Sequence, residues 1–182
     1  MKLSKLSKYL LLASFVGSFS EQMLIPYWSS FVGKIGGDLM DAGIGFAIFS
    51  IATGIFVATI GQSKWFADNT KKILLWGFII SGLGEFSYLL VSNKWELFFV
   101  QCIVGISVGM LNPAWDSLYT EDDEEAGKKW SFWSGGVSFV VGIASLVSAG
   151  IVYWLNFNTL FITMGLIDAL AVYYAYKAVK NV

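Results

Sequence analysis

Four carboxylates interrupt otherwise apolar runs of this sequence: Glu21, Glu85, Asp116 and Asp168. No lysine lies in the same runs, and the chain has neither arginine nor histidine. An ionised acid at the middle of a bilayer costs roughly 2.5–3.5 kcal/mol on insertion scales, so such residues normally face protein or a water-filled path. With no cation to pair with, a carboxyl in such a place is most cheaply kept as the neutral acid. A group that holds a proton inside a membrane and can release it to water is what a proton-coupled carrier needs. Other chemistry finds little support. Without histidine there is no Ser-His nucleophile and no histidine-bound metal. The single Cys102 has no partner for a disulfide or a metal cage. No phosphate-binding glycine loop is present, and Asp116 and Asp168 lie at different depths, which argues against a paired-aspartate protease. The sequence therefore predicts no enzyme, no cofactor and no metal. The acidic run 121–125 reads as a solvated loop face without calcium-loop spacing.

The elements that must position these acids are membrane spans. Of 182 residues, 56% are hydrophobic and only 14% charged, against about 25% charged in soluble domains. A bilayer core of ~30 Å needs about 20 mostly apolar residues per helix. Six runs qualify, at about 9–32, 43–63, 73–92, 96–118, 130–154 and 157–176, separated by polar breaks that include 64–72. The first run is too long for a signal peptide and lacks a cleavage site, so it reads as a retained span. With the N-terminus inside, Lys2, Lys5, Lys8, Lys64, Lys71, Lys72, Lys128, Lys129, Lys177 and Lys180 are cytoplasmic, and only Lys34 and Lys94 are outside. This bias predicts both termini in the cytoplasm of a multi-pass protein of the cell (inner) membrane. No basic face interleaved with aromatics exists, so nucleic acid is not an expected partner; the lipid bilayer is.

The chain also repeats itself. Leu24-Ile25-Pro26-Tyr27-Trp28-Ser29-Ser30 closes the first span, and Leu111-Asn112-Pro113-Ala114-Trp115-Asp116-Ser117 closes the fourth; both read L-x-P-x-W-x-S. Segments 78–85 and 161–168 both read F-I-x-x-G-L-x-acid, ending on Glu85 and Asp168. The expected fold is all-α: a single six-helix transmembrane bundle over 1–182, built as a 3+3 inverted repeat of about 9–92 and 96–176. Inverted repeats are a mark of secondary transporters.

That plan resembles one six-helix half of the major facilitator superfamily, the amino-terminal one. Asp68, Lys71 and Lys72 resemble the acid and base pattern of the family's cytoplasmic loop motif, G-x-L-A-D-R-x-G-R-R, although its glycines are missing. The run from Gln101 through Gly105 and Gly109 to Pro113-Ala114-Trp115 resembles its R-x-x-x-G-x-x-x-G-x-x-x-P-A-W, with Gln101 in place of the arginine implicated in proton coupling. Span five lacks the Gly-Pro pair of the family's drug-antiporter motif. The resemblance implies that spans one and four line a cavity and that three and six sit further out.

Together these readings predict a secondary active transporter of a small solute, working by alternating access and proton-coupled. Glu21, Glu85, Asp116 and Asp168 are the coupling candidates, and Ser18, Gln22, Gln101 and Asn112 the cavity-lining ones. Glu85 and Asp168 read as structural by position and as a relay by symmetry. Gly105 and Gly109 form a small-residue pair of the kind that brings helices close. Pro26, Trp28, Pro113 and Trp115 are gate candidates, because proline lets a helix bend beside a bulky ring; interface anchoring explains the rings equally well. A parallel homodimer, paired through spans two and five at Gly54, Gly61, Gly136 and Gly142, would restore twelve helices. The rival reading is a non-transporting membrane assembly module or an inactive half of a transporter.

Overall fold

The computed structural model describes residues 3–120 and 126–180, so the acidic run at 121–125 lies outside the described residues. Everything described is helix, turn or short connection, with no strand among the described residues. The helices are α1 (Lys5–Leu24), α2 (Trp28–Lys34), α3 (Leu39–Ile60), α4 (Lys64–Ser87), α5 (Lys94–Thr120), α6 (Ala126–Trp154) and α7 (Phe157–Lys180). A 3-10 turn over Ile25–Tyr27 links α1 to α2, and another over Tyr88–Leu90 follows α4.

Helix starts are fixed by short polar caps, which satisfy amide groups that have no partner within the helix. Ser4 accepts from the Ser7 amide at 3.0 Å and Ser63 from the Phe66 amide at 3.1 Å. Asp38 and Asp41 form a reciprocal capping box at the start of α3. Asn93 and Asn156 do the same work for α5 and α7. The tight turn before α3 uses Gly36 at φ +82°, a conformation that suits glycine.

The cap at Ser63 corrects one boundary. Residues 64–72, expected as a polar break, are the first turns of α4. Phe66 and Thr70 are buried there, so tertiary packing holds the helix where its polarity suggested a loop. The break shrinks to the three residues between α3 and α4. The two L-x-P-x-W-x-S segments also differ from expectation. Pro26 sits in the 3-10 turn that interrupts the first span, whereas Pro113 lies inside α5, which runs on to Thr120.

Among the described residues, five helices are long and apolar enough to cross a membrane: α3, α4 with its 3-10 turn, α5, α6 and α7. The first helix is not among them, because Ser14, Ser18, Ser20, Glu21 and Gln22 dilute its apolar content. It nevertheless packs along α6 and α7 like the others. The principal neighbours run α3–α5–α4–α7–α1–α6. Half of the spanning windows of α4 and α5 is buried, but only 6% of that of α3 and 11% of that of α6, so these two outermost helices present the bare faces. Large exposed residues there include Phe46, Ile51 and Ile55 on α3 and Phe139, Ile143 and Leu146 on α6.

Two apolar clusters form the core, one at each end of the bundle. Leu10, Phe66, Ile73, Trp115, Tyr119 and Ala175 belong to the cluster at the lysine-rich end. Met23, Phe31, Tyr88, Leu97 and Phe161 belong to the cluster at the opposite end. Between them lies a polar layer containing Ser20 of α1, Ser81 and Glu85 of α4, and Asp168 of α7, all nearly or fully buried.

Candidate functional site

The polar layer is where the sequence-predicted acids meet. Glu85 is 3% exposed and Asp168 1% exposed. The Ser81 hydroxyl donates to Asp168 Oδ2 at 3.1 Å, tying α4 to α7, and the Ser20 hydroxyl donates to the Met164 carbonyl at 2.9 Å, tying α1 to α7. Two oxygens of this layer, Glu85 Oε2 and Asp168 Oδ1, are buried without a hydrogen-bond partner. Buried polar groups are nearly always satisfied, and those that are not ask for a reason.

Two cavities flank this layer, and Glu21 lines both of them. The one toward the lysine-rich end, of about 250 Å³, is lined among others by Ser14, Ser18, Asn112, Asp116, Trp115 and Trp133. The other, of about 400 Å³, opens among Gln22, Trp28, Phe49, Glu85, Tyr88 and Gln101. Neither is lined by a lysine. Glu21 is the residue that the two spaces share, one from each end of the bundle.

Helix geometry explains the grouping. Ser14, Ser18, Glu21 and Gln22 recur at helical spacing on α1, so one side of that helix faces both cavities in turn. On α5, Gln101 and Asn112 lie three turns apart and line one cavity each. Gly105, between them, lets α3 approach: a Cβ there would stand 2.5 Å from the Phe49 carbonyl oxygen. Gly109 does the same against Phe56. The Thr53 hydroxyl, 3.0 Å from the Gly105 carbonyl, closes the same seam.

The remaining candidates divide. Trp28 lines the larger cavity and its indole N–H donates to the Ala42 carbonyl at 3.0 Å, fastening α2 to α3. Trp115 is buried inside the chain: its N–H donates to the Leu10 carbonyl at 3.2 Å, and its ring stacks on Tyr119 at 4.4 Å and leans on Trp133 at 4.8 Å. It closes the lysine-rich end between α1, α5 and α6 rather than facing outward. Pro26 is exposed beside the break. Asp68 and Lys72 are exposed, with Lys71 half-buried, on the first turns of α4 and apart from both cavities. Of the expected pairing glycines, Gly54 and Gly142 face open space, whereas Gly136 abuts Phe15 of α1 within the chain and Gly61 faces the Val57 carbonyl.

Sequence reasoning missed Tyr88, whose hydroxyl accepts from Gln101 Nε2 at 3.0 Å, and Ser81. Both had a signal available: they lie one helical turn on either side of Glu85. Trp133, donating to the Ser14 hydroxyl at 2.7 Å, had none.

Comparison with known proteins places this geometry in context. A profile described as Major Facilitator Superfamily matches residues 10–180. A curated relative, the proton-coupled antiporter flippase LtaA of Staphylococcus epidermidis, is 26% identical over 123 residues, covering 63% of this chain and 31% of the relative. The POT family transporter PepTSo has a similar fold, with a TM-score of 0.79 at 16% identity over 97% of this chain and 37% of that one. A peptide transporter POT crystallised with sulfate gives 0.75 at 18% identity over 94% and 37%. At these identities the solved structures show a shared fold alone. The chain spans about a third of the length of the proteins it matches.

Proposed function

Given that this chain belongs to the Major Facilitator Superfamily, we propose that it works as a secondary active transporter of a small solute, by alternating access and with proton coupling through Glu21. The observation that carries this reading is the position of Glu21 on both cavities, one toward each end. A carboxyl so placed takes a proton from one side and gives it to the other once the closure between the cavities shifts. Glu85 and Asp168, buried beside it with no lysine in either cavity, serve as further proton sites of the same layer. Asp116 lies at the wet end of the smaller cavity and loads or unloads the path.

The neighbour order α3–α5–α4–α7–α1–α6 supports the 3+3 inverted repeat. Exchanging the third and sixth spans, the first and fourth, and the second and fifth leaves that order unchanged but reversed. Such symmetry lets one fold adopt two states of access related by a pseudo-two-fold axis in the membrane plane. The lysine distribution supports both termini in the cytoplasm of an inner-membrane protein. The bare faces of α3 and α6 support pairing with a second six-helix unit, and a parallel homodimer is the simplest source of one. The rival, a non-transporting assembly module, is disfavoured by two cavities that each take in a carboxyl group, which a purely structural bundle has no use for.

Proteoliposomes holding the purified chain test this, with a solute chosen by its thermal stabilisation of the protein. An imposed pH gradient should drive uptake, Glu21→Gln should abolish it, and native mass spectrometry of the same sample should show pairs. Undiminished pH-driven uptake by the variant would remove Glu21 from the mechanism, and transport by a strictly monomeric protein would remove the dimer.

A further inference from the structure

The larger cavity says more than that a solute passes. Its wall is aromatic and aliphatic: Trp28, Phe46, Phe49 and Tyr88 line it together with Val104 and Met164. Its volume, about 400 Å³, falls within the range of small-molecule sites. Into this apolar space comes Glu85, nine-tenths buried and more, with Oε2 lacking any partner. Glu21 faces the same space, and the neutral polar groups Gln22, Gln101 and the Tyr88 hydroxyl complete its polar lining.

Chemistry narrows the occupant. An anion would meet two carboxyl groups and find no lysine in the cavity wall, nor any arginine or histidine in the chain. A sugar needs many donors and acceptors, and this wall offers few. A cation with an apolar body fits on both counts: aromatic faces attract it, and its charge supplies the counter-ion that lets the buried, otherwise neutral carboxyl of Glu85 ionise. We propose that this cavity binds a lipophilic organic monocation, held by Glu85 against the aromatic wall. This deepens the transport reading above and rests on it for the fate of the bound cation. Cavity charge and shape carry the assignment, independently of the Gly-Pro motif absent from α6.

The test is binding to the full chain, purified in an uncharged detergent, with empty micelles subtracted. Tetraphenylphosphonium and tetraphenylborate are close in shape and opposite in charge. The phosphonium should bind saturably, and the borate should neither bind nor compete. Glu85→Gln should weaken phosphonium binding roughly tenfold to a hundredfold, the range expected for losing a charged partner. Phe49→Leu should weaken it less, and Glu96→Gln, an exposed acid bonded to Ser92 at the start of α5 and absent from the cavity lining, should leave it unchanged. Equal or tighter binding of the borate overturns the proposal, as does a folded Glu85→Gln protein with unaltered affinity. If that variant fails to fold, the charge preference of the unaltered chain decides alone. Because binding is read without a gradient, a protein that binds the cation yet shows no pH-driven uptake contradicts the transport reading and leaves this one standing.

Discussion

The Ser81 hydroxyl donates to one oxygen of Asp168, the Ser20 hydroxyl lies beside the same carboxyl, and the other oxygen has no partner in hydrogen-bond geometry. Ser81→Ala therefore removes the best-placed donor from a buried acceptor. The expected loss is about 1–3 kcal/mol of stability, the cost of leaving a buried acceptor unsatisfied. It should appear as a lowered midpoint of thermal unfolding in detergent; an unchanged midpoint means that Asp168 reaches water. The acids themselves were legible in the sequence because a carboxylate within an apolar run is conspicuous against its surroundings. Their surroundings were legible only in part. Ser81 and Tyr88 stand one helical turn on either side of Glu85, but the partners they take, Asp168 and Gln101, lie on other helices that spacing along α4 does not name. The acids' difference in depth was legible as well: Asp116 and Asp168 read as lying at different levels, and the first is exposed at a cavity while the second is sealed.

Helices obey local rules until packing overrides them. The glycines of α5 show local sequence and packing in agreement: Gly105 and Gly109 were readable as a close-contact pair, and α3 does press on both. Adding one methyl group at Gly105 should force α3 and α5 apart, costing about 1–3 kcal/mol by overpacking. The same change at Gly142, where a Cβ meets nothing within 4 Å, should be neutral or mildly stabilising. Thermal unfolding of the two alanine variants checks this, and equal effects would contradict the seam. The proline segments show the override. Identical patterns predicted one behaviour, but α5 is gripped between α3 and α4, with Leu111 and Trp115 buried beside Pro113, so it stays helical. Pro26 and Ile25 are themselves exposed, and there the helix gives way to a 3-10 turn before Trp28 fastens α2 to α3. The helical start of α4 was missed for a similar reason. Polarity marked 64–72 as a loop, whereas a serine cap and two buried side chains make it helix.

At the scale of the whole molecule, a polar layer lies between two apolar clusters, and two cavities share Glu21 as a lining residue; the transport proposed above has water reach that acid from one end at a time. The apolar runs were readable in the order of the sequence, although only five of the six are long and apolar enough to count as spans among the described residues, the first being too polar. The meeting of the cavities was not readable, because it depends on how α1 turns relative to α5. Ser18 lines one cavity and Gln22 the other, one helical turn apart on either side of the shared acid. The most direct measurement places a single cysteine at each position in turn, in a Cys102→Ser background, and follows labelling by a membrane-impermeant thiol reagent in proteoliposomes of known orientation. The account predicts that Ser18→Cys reacts only from the lysine-rich side and Gln22→Cys only from the other, and that a pH gradient raises one rate while lowering the other. Rates that rise together, or do not respond at all, would contradict alternating access through Glu21.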